Sequence, residues 1–270
     1  MIESISDILI ITDVDGTLLH ENAGISKENL EAIKRFVDKG GHFTVSTGRA
    51  IDVAKPLLEE IPINAPSVHI NGGYFYDWQK DEIIEPNYIS KYARFSIKKI
   101  KEKFDYCDCH FATDESVNLL TSGKYLKKYI PEREFRFFDG SFDDIPENVY
   151  KYIVCCDPEN MAEIRKFAES VCGKDVKIIQ SSPFFLEILP PKNSKGKSLE
   201  RLCEIIGIPL ENSVAAGDYE NDSEMLLAAG IGAAVENAQE SLKDIADIIL
   251  PSCKENGIAH LIEFLEEMYE

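Results

Sequence analysis

Ile8-Leu9-Ile10-Ile11-Thr12-Asp13-Val14-Asp15-Gly16-Thr17-Leu18-Leu19 decides how this chain of 270 residues is read. A run of strand-forming apolar residues ends abruptly in two acids one residue apart, then a glycine and a threonine. A continuous apolar run suits a strand buried on both faces. Open α/β sheets bind ligands just outside the carboxyl ends of their strands. Alternate side chains of an extended segment share a face, so Asp13 and Asp15 can point into one small volume. Two carboxylates that close call for a cation between them or a proton shared by them. The bland alternative is an ordinary Asp-Gly-Thr turn.

Along the chain from this segment, strand and helix signals alternate. A strand at 7–14 precedes a helix that starts at Ser26, carries an apolar stripe of Leu30, Ile33 and Val37, and stops at Gly40-Gly41. His42–Ser46 reads as a second strand, 52–60 as a second helix, and Ser67–Ile70 as a third short strand ending in Asn71-Gly72-Gly73. Such alternation predicts a parallel sheet covered by helices. From Tyr74 a hairpin, 74–78 with 82–84, leads into a region where strands are adjacent: 107–112, 116–120, 134–138, 149–156, 175–180 and 184–189. Helices are expected there at 90–104, 122–130 and 158–172. After Pro190-Pro191 the alternation resumes, with helix 195–206, strand 212–216, helix 221–229, strand 231–235, helix 238–244, strand 247–250 and a C-terminal helix. The expected fold class is α/β: a Rossmann-like parallel-sheet core, 1–80 plus 190–270, interrupted by an inserted α+β domain at 81–189.

The net charge of −19 argues against non-specific binding to nucleic acid or to an anionic membrane surface, because phosphate contacts need clustered Lys and Arg. No apolar run reaches the roughly 18 residues of a membrane span, and no export signal is read at the N-terminus. Seven scattered cysteines fit free thiols in a reducing cytoplasm better than a disulfide framework. Cys107-Asp108-Cys109-His110 lacks the second pair of ligands that a structural zinc site needs. The sequence carries no signal of oligomeric state.

Three further segments join the first. Ser46-Thr47-Gly48-Arg49 ends the second strand, where a hydroxyl and a glycine N–H can hold a phosphoryl oxygen or simply cap a helix. Lys195 opens a helix, where the dipole disfavours a cation, so it either faces acids or is a solvated surface lysine. Gly196-Lys197-Ser198 is not a nucleotide-binding loop, since Pro191 stands where that motif needs glycine. In Ala215-Ala216-Gly217-Asp218-Tyr219-Glu220-Asn221-Asp222, a short strand again ends in glycine and acids. Asp218 and Asp222 can line one pocket of hard oxygen ligands suited to Mg2+, or act as acids at a helix start.

These four segments, in this order, resemble the motifs of the haloacid dehalogenase superfamily, and the large insertion with Asn71-Gly72-Gly73 is similar to its Cof-type sugar-phosphatase branch. The resemblance spans the whole chain and implies a Rossmann-like core with a mobile cap. It implies that Asp13 is the nucleophile that forms an aspartyl-phosphate, and that Asp15 is the acid for the leaving alcohol and then the base for water. It further implies Mg2+ held by Asp13, the Asp15 carbonyl and Asp218, with Asp222 orienting the metal's waters. Thr47, Gly48, Lys195 and Asn221 would hold phosphoryl oxygens, and Arg49 would touch the substrate. An acid at position 15 fits phosphatases and mutases, and not the family's dehalogenases or transport ATPases. The expected function is a cytoplasmic Mg2+-dependent phosphatase acting on a small phosphorylated metabolite, a sugar phosphate first, with substrate choice in the insertion. A phosphomutase and a non-catalytic phosphometabolite sensor are the alternatives.

Overall fold

The computed structural model describes residues 2–20, 24–113, 116–121, 124–125 and 135–269. They form two compact units: Met1–Glu85 with Ser194–Glu270, and Pro86–Asn193. The expected helix at 122–130 falls largely outside the described residues.

The first unit holds β1 (Leu9–Thr12), α1 (Lys27–Asp38), β2 (His42–Val45), α2 (Ile51–Leu58), β3 (Ser67–His69), β4 (Tyr74–Asp77) and β5 (Glu82–Ile84). The second holds α3 (Ala93–Lys103), β6 (Asp108–Ala112), β7 (Val117–Leu119), β8 (Phe135–Phe137), β9 (Lys151–Cys155), α4 (Pro158–Cys172), β10 (Lys177–Ser182) and β11 (Phe185–Leu189). The chain then returns to the first unit with α5 (Lys195–Ile206), β12 (Ser213–Gly217), α6 (Ser223–Ala228), β13 (Ile231–Val235), α7 (Glu240–Lys243), β14 (Ile248–Leu250) and α8 (Gly257–Tyr269).

The core sheet has the order β14-β13-β12-β1-β2 and is parallel throughout. β1 lies at its inside, and Ile8, Leu9, Ile10 and Ile11 are wholly buried, which is why that run is apolar without alternation. Ser26 caps α1 by accepting from the Asn29 N–H at 3.1 Å. One expectation is corrected. β3 pairs antiparallel with β4 in a separate three-stranded sheet, and touches the parallel sheet only through a single bridge between Ser46 and Val68. A short apolar run reads alike in either setting, and the hairpin that follows decided which it joined.

The inserted unit is α+β. Its sheet has the order β10-β11-β9-β6-β7-β8 and is antiparallel apart from the β7–β8 pair. Cys109, Phe111, Tyr152, Val154, Leu186 and Ile188 alternate onto one face and pack with Ile97 and Ile100 of α3 and Met161 and Ile164 of α4. His110, Lys151 and Glu187 alternate onto the other face. There the Lys151 ammonium donates to Glu187 at 2.9 Å with both side chains buried. Cys107, Cys109 and His110 are buried around β6, and among the described residues they join no metal-type cluster.

Burial pushes the His110 pKa down to about 3, assisted by Lys151. The unfolded chain therefore takes up this proton first, near the ordinary histidine value of about 6.5. Stability from the neutral ring is complete above that pH and falls away as the pH drops toward about 3. Between pH 7 and pH 5 the loss is expected to be about 2 kcal/mol. Urea unfolding of the wild type and of His110→Phe at both pH values checks it, since the difference between the two proteins isolates this ring. Equal pH dependences would contradict the prediction.

Candidate active site

The acids of β1 and β12 emerge at the carboxyl rim of the parallel sheet. Asp13 follows β1, its N–H donating to the Ala216 carbonyl at 2.8 Å, so the ends of the two strands are held together. The chain then turns at Gly16, whose φ is +87°. A Cβ there would lie 2.6 Å from Asp218 Oδ2, so only glycine lets this turn close onto Asp218. Thr17 Oγ1 donates to Asp218 Oδ1 at 3.0 Å. Asn237 Nδ2 donates to the Gly16 carbonyl at 2.8 Å, and the Gln239 N–H to the Asp218 carbonyl at 2.9 Å, so the segment after β13 buttresses both loops.

Asp13, Asp218 and Asp222 each offer a carboxylate oxygen, and the three oxygens lie within 4.8 Å of one another. Lys195, at the first turn of α5 and wholly buried, donates to Asp13 Oδ1 and, at 2.6 Å, to Asp222 Oδ1. Its unfavourable place at a helix start is thus offset by two acids, and the solvated-lysine alternative is excluded. Asp222 Oδ2 accepts the N–H groups of Asp218 at 3.0 Å and Tyr219 at 3.2 Å. It therefore closes the loop after β12 as an acid at a helix start, and pairs with Lys195 through its other oxygen.

The electrostatics follow from three acids around one ammonium. Burial, reinforced by Asp222, Asp218 and Asp15, raises the Asp13 pKa well above the carboxylate range, against the pull of Lys195. Burial, with Asp222 beside it, pushes Asp218 up to about 7. For Lys195, burial works against the charged form, but Asp13 and Asp222 outweigh it and keep the ammonium protonated.

Thr47 is buried after β2, and its Oγ1 accepts the Arg49 N–H at 3.1 Å rather than capping α2, whose N-cap is Ala50. Arg49 grips Asp15 with both arms of its guanidinium, Nε to Oδ2 at 2.7 Å and Nη2 to Oδ1 at 2.9 Å. The Asp15 side chain is half exposed and points to Arg49, whereas Asp13 points to Lys195. Gly48 lies against Asn71, whose Oδ1 accepts from Asn221 Nδ2 at 3.1 Å. Asn71, Thr17 and Asn237 carry site contacts that sequence reading did not assign. Asn71 had a signal, an asparagine before two glycines at a strand end, and its φ of 53° is the left-handed conformation that asparagine tolerates.

Residues 10–262 match the sequence signature of the haloacid dehalogenase-like hydrolases. The chain belongs to that family. Among its relatives is a 5-amino-6-(5-phospho-D-ribitylamino)uracil phosphatase of Bacillus subtilis (strain 168), 30% identical over 95% of this chain and 97% of that protein. A second phosphatase of the same name and organism is 29% identical over 96% of each chain. The solved structure of a haloacid dehalogenase-like hydrolase from Bacteroides thetaiotaomicron superposes with a TM-score of 0.82 at 28% identity, over 96% of this chain and 99% of that one. No helix among the described residues of this hydrolase is long and apolar enough to cross a membrane.

Proposed function

We propose that this hydrolase cleaves a small phosphorylated metabolite, with Mg2+ as its metal and an aspartyl-phosphate on Asp13 as its intermediate. That the chain is a phosphatase follows from its family together with relatives so named. The observation that carries the finer reading is the meeting of Asp13, Asp218 and Asp222 around Lys195.

Three carboxylates against one ammonium leave an excess of negative charge that suits a divalent cation, and hard oxygen donors suit Mg2+. Asp13, Asp218 and the main-chain carbonyl of Asp15 would hold it, with Asp222 behind them. When bound, it would neutralise charge on the phosphoryl oxygens. Asp13 attacks phosphorus and the ester oxygen leaves with a proton from Asp15. Asp15 then takes a proton from the water that attacks the Asp13 phosphate, returning the carboxylate and releasing inorganic phosphate. Lys195, Thr47, the Gly48 N–H and Asn221 are the groups we assign to the phosphoryl oxygens. Such positioning and charge neutralisation is most of what phosphoryl transfer asks of a protein.

Substrate choice we assign to the inserted unit, with 81–189 as the cap in the sequence reading. The ribityl phosphate in the names of two relatives makes a primary phosphate on a polyol or sugar chain the substrate class to test first. Purified protein is expected to hydrolyse p-nitrophenyl phosphate with Mg2+ and to stop on chelation. Undiminished turnover by the metal-free protein would overturn the Mg2+ assignment. Turnover of a sugar monophosphate that needs a catalytic amount of the bisphosphate would favour a mutase. Tight binding of a phosphometabolite without turnover would favour a sensor.

A further inference from the structure

The single tryptophan of the chain is linked to the active-site loop through three successive polar contacts. Trp78 Nε1 donates to Ser67 Oγ at 2.8 Å, Ser67 Oγ meets His69 Nε2 at 2.8 Å, and His69 Nδ1 meets the Arg49 carbonyl at 3.2 Å. A carbonyl only accepts, so the ring carries its proton on Nδ1; in a neutral ring Nε2 is then an acceptor, and Ser67, which accepts from the indole N–H, gives it its own proton. Ser67 and His69 are both wholly buried, and burial holds the ring neutral by pushing its pKa down to about 4. Tyr74 stacks on the ring at 5.4 Å, and its hydroxyl accepts the Ile51 N–H at 2.8 Å.

The same hairpin grips the loop through its backbone. The Arg49 carbonyl also accepts the Ile70 N–H at 3.3 Å, the Thr47 N–H donates to Val68, and the Thr47 carbonyl accepts from Asn71 at 3.0 Å. Reaching these partners puts Ile70 and Asn71 at φ 54° and 53°, consecutive left-handed residues. For a β-branched residue that conformation is a genuine outlier, and such strain persists where surrounding structure over-determines it, as at functional sites. Gly72, at φ +95°, completes the turn, and a Cβ there would lie 2.6 Å from Ser198 Oγ on α5, the helix that carries Lys195. A polar relay whose buried members are all satisfied holds its groups in one fixed arrangement.

We infer that His69, as the Nδ1–H tautomer, is a positioning residue that sets Arg49 and, through the Arg49 fork, the carboxylate of Asp15. His69 itself touches neither acid. The inference rests on the reading of Asp15 as the proton donor to the leaving group. Its consequence is selective: a misplaced donor harms an alkyl phosphate, whose leaving alkoxide needs a proton, more than p-nitrophenyl phosphate, whose phenolate leaves unaided.

The test compares kcat/KM for glycerol 3-phosphate and p-nitrophenyl phosphate, because kcat/KM reports the steps through phosphoryl transfer. In His69→Phe, as in Arg49→Ala, the alkyl-to-aryl ratio is expected to fall about tenfold, and to recover in His69→Asn, whose amide can donate to the Arg49 carbonyl. A ratio that falls in Arg49→Ala and stays at the wild-type value in His69→Phe would overturn the inference. If His69→Phe does not fold, Ser67→Ala is measured for the same fall. The wild-type ring is also read directly by 15N NMR, where a proton on Nε2 would equally overturn the inference. Asp15→Asn separates the two layers: if it leaves the ratio unchanged, the reading of Asp15 as proton donor has failed, and the inference with it.

Discussion

Asp13→Asn is expected to abolish phosphate-ester hydrolysis, lowering kcat on the order of 10^4-fold or more, the scale on which removal of a nucleophile acts. Asn keeps the shape of the side chain and an oxygen for Lys195, but its amide cannot form the phosphoenzyme. The effect on stability should run the other way. Burial, with Asp222 and Asp218 adding to it, raises the Asp13 pKa well above its ordinary value, so the native state bears a cost for holding it charged. Removing one negative charge while Lys195 keeps Asp222 should leave the thermal midpoint unchanged or raise it, the usual trade between activity and stability at a site. Kinetics with p-nitrophenyl phosphate and a calorimetric scan check both parts. Retention of even a tenth of wild-type kcat would rule out Asp13 as the nucleophile.

Lys195→Met carries the second large effect, and here activity and stability fall together. The methionine keeps most of the length of the side chain and deletes the ammonium that Asp13 and Asp222 share. Breaking a buried pair by removing one partner leaves charge uncompensated and costs about 3–5 kcal/mol. Part of that is recovered as the acids take up protons, which Asp218, already at about 7, can do near neutral pH. Loss of one group that steadies transferring charge lowers kcat by roughly 10^2 to 10^3-fold. Mg2+ supplies replacement charge, so it should raise the midpoint of the variant more than that of the wild type. Thermal scans of both proteins with EDTA and with Mg2+ test this. A variant as stable as the wild type in EDTA would mean that the acids do not depend on this lysine.

Local signals were legible where the determining chemistry is local. The run Ile8–Ile11 followed by Asp13 states its own role, because a strand buried on both faces ends in acids where the sheet rim carries a site. Ser26 does the same for the start of α1, while of the expected stripe only Ile33 is fully buried, the face turned inward being Asn29, Ala32, Ile33 and Phe36. β3 was not legible, since three apolar-to-polar residues carry no mark of parallel or antiparallel pairing until Tyr74–Asp77 folds back on them. His69 was hidden because its partners, Ser67 and the Arg49 carbonyl, meet it only once β3 is laid beside the loop after β2, and nothing local marks Ile70, a β-branched residue, for its left-handed backbone. The pairing of Arg49 with Asp15, 34 positions away in sequence, carried no local mark either.

By itself the sequence settled which residue types stand at the strand ends, and with them the α/β class, the family and the candidate acids. Only the tertiary structure decided which charges meet: that Lys195 is buried between Asp13, 182 positions away, and Asp222, that Asp222 also closes its own loop, and that Asp15 faces Arg49. The physical reason is one of range. Apolar periodicity and turn chemistry act over a few neighbouring residues, whereas burial and the neutralisation of charge are properties of a place in space that distant segments build together.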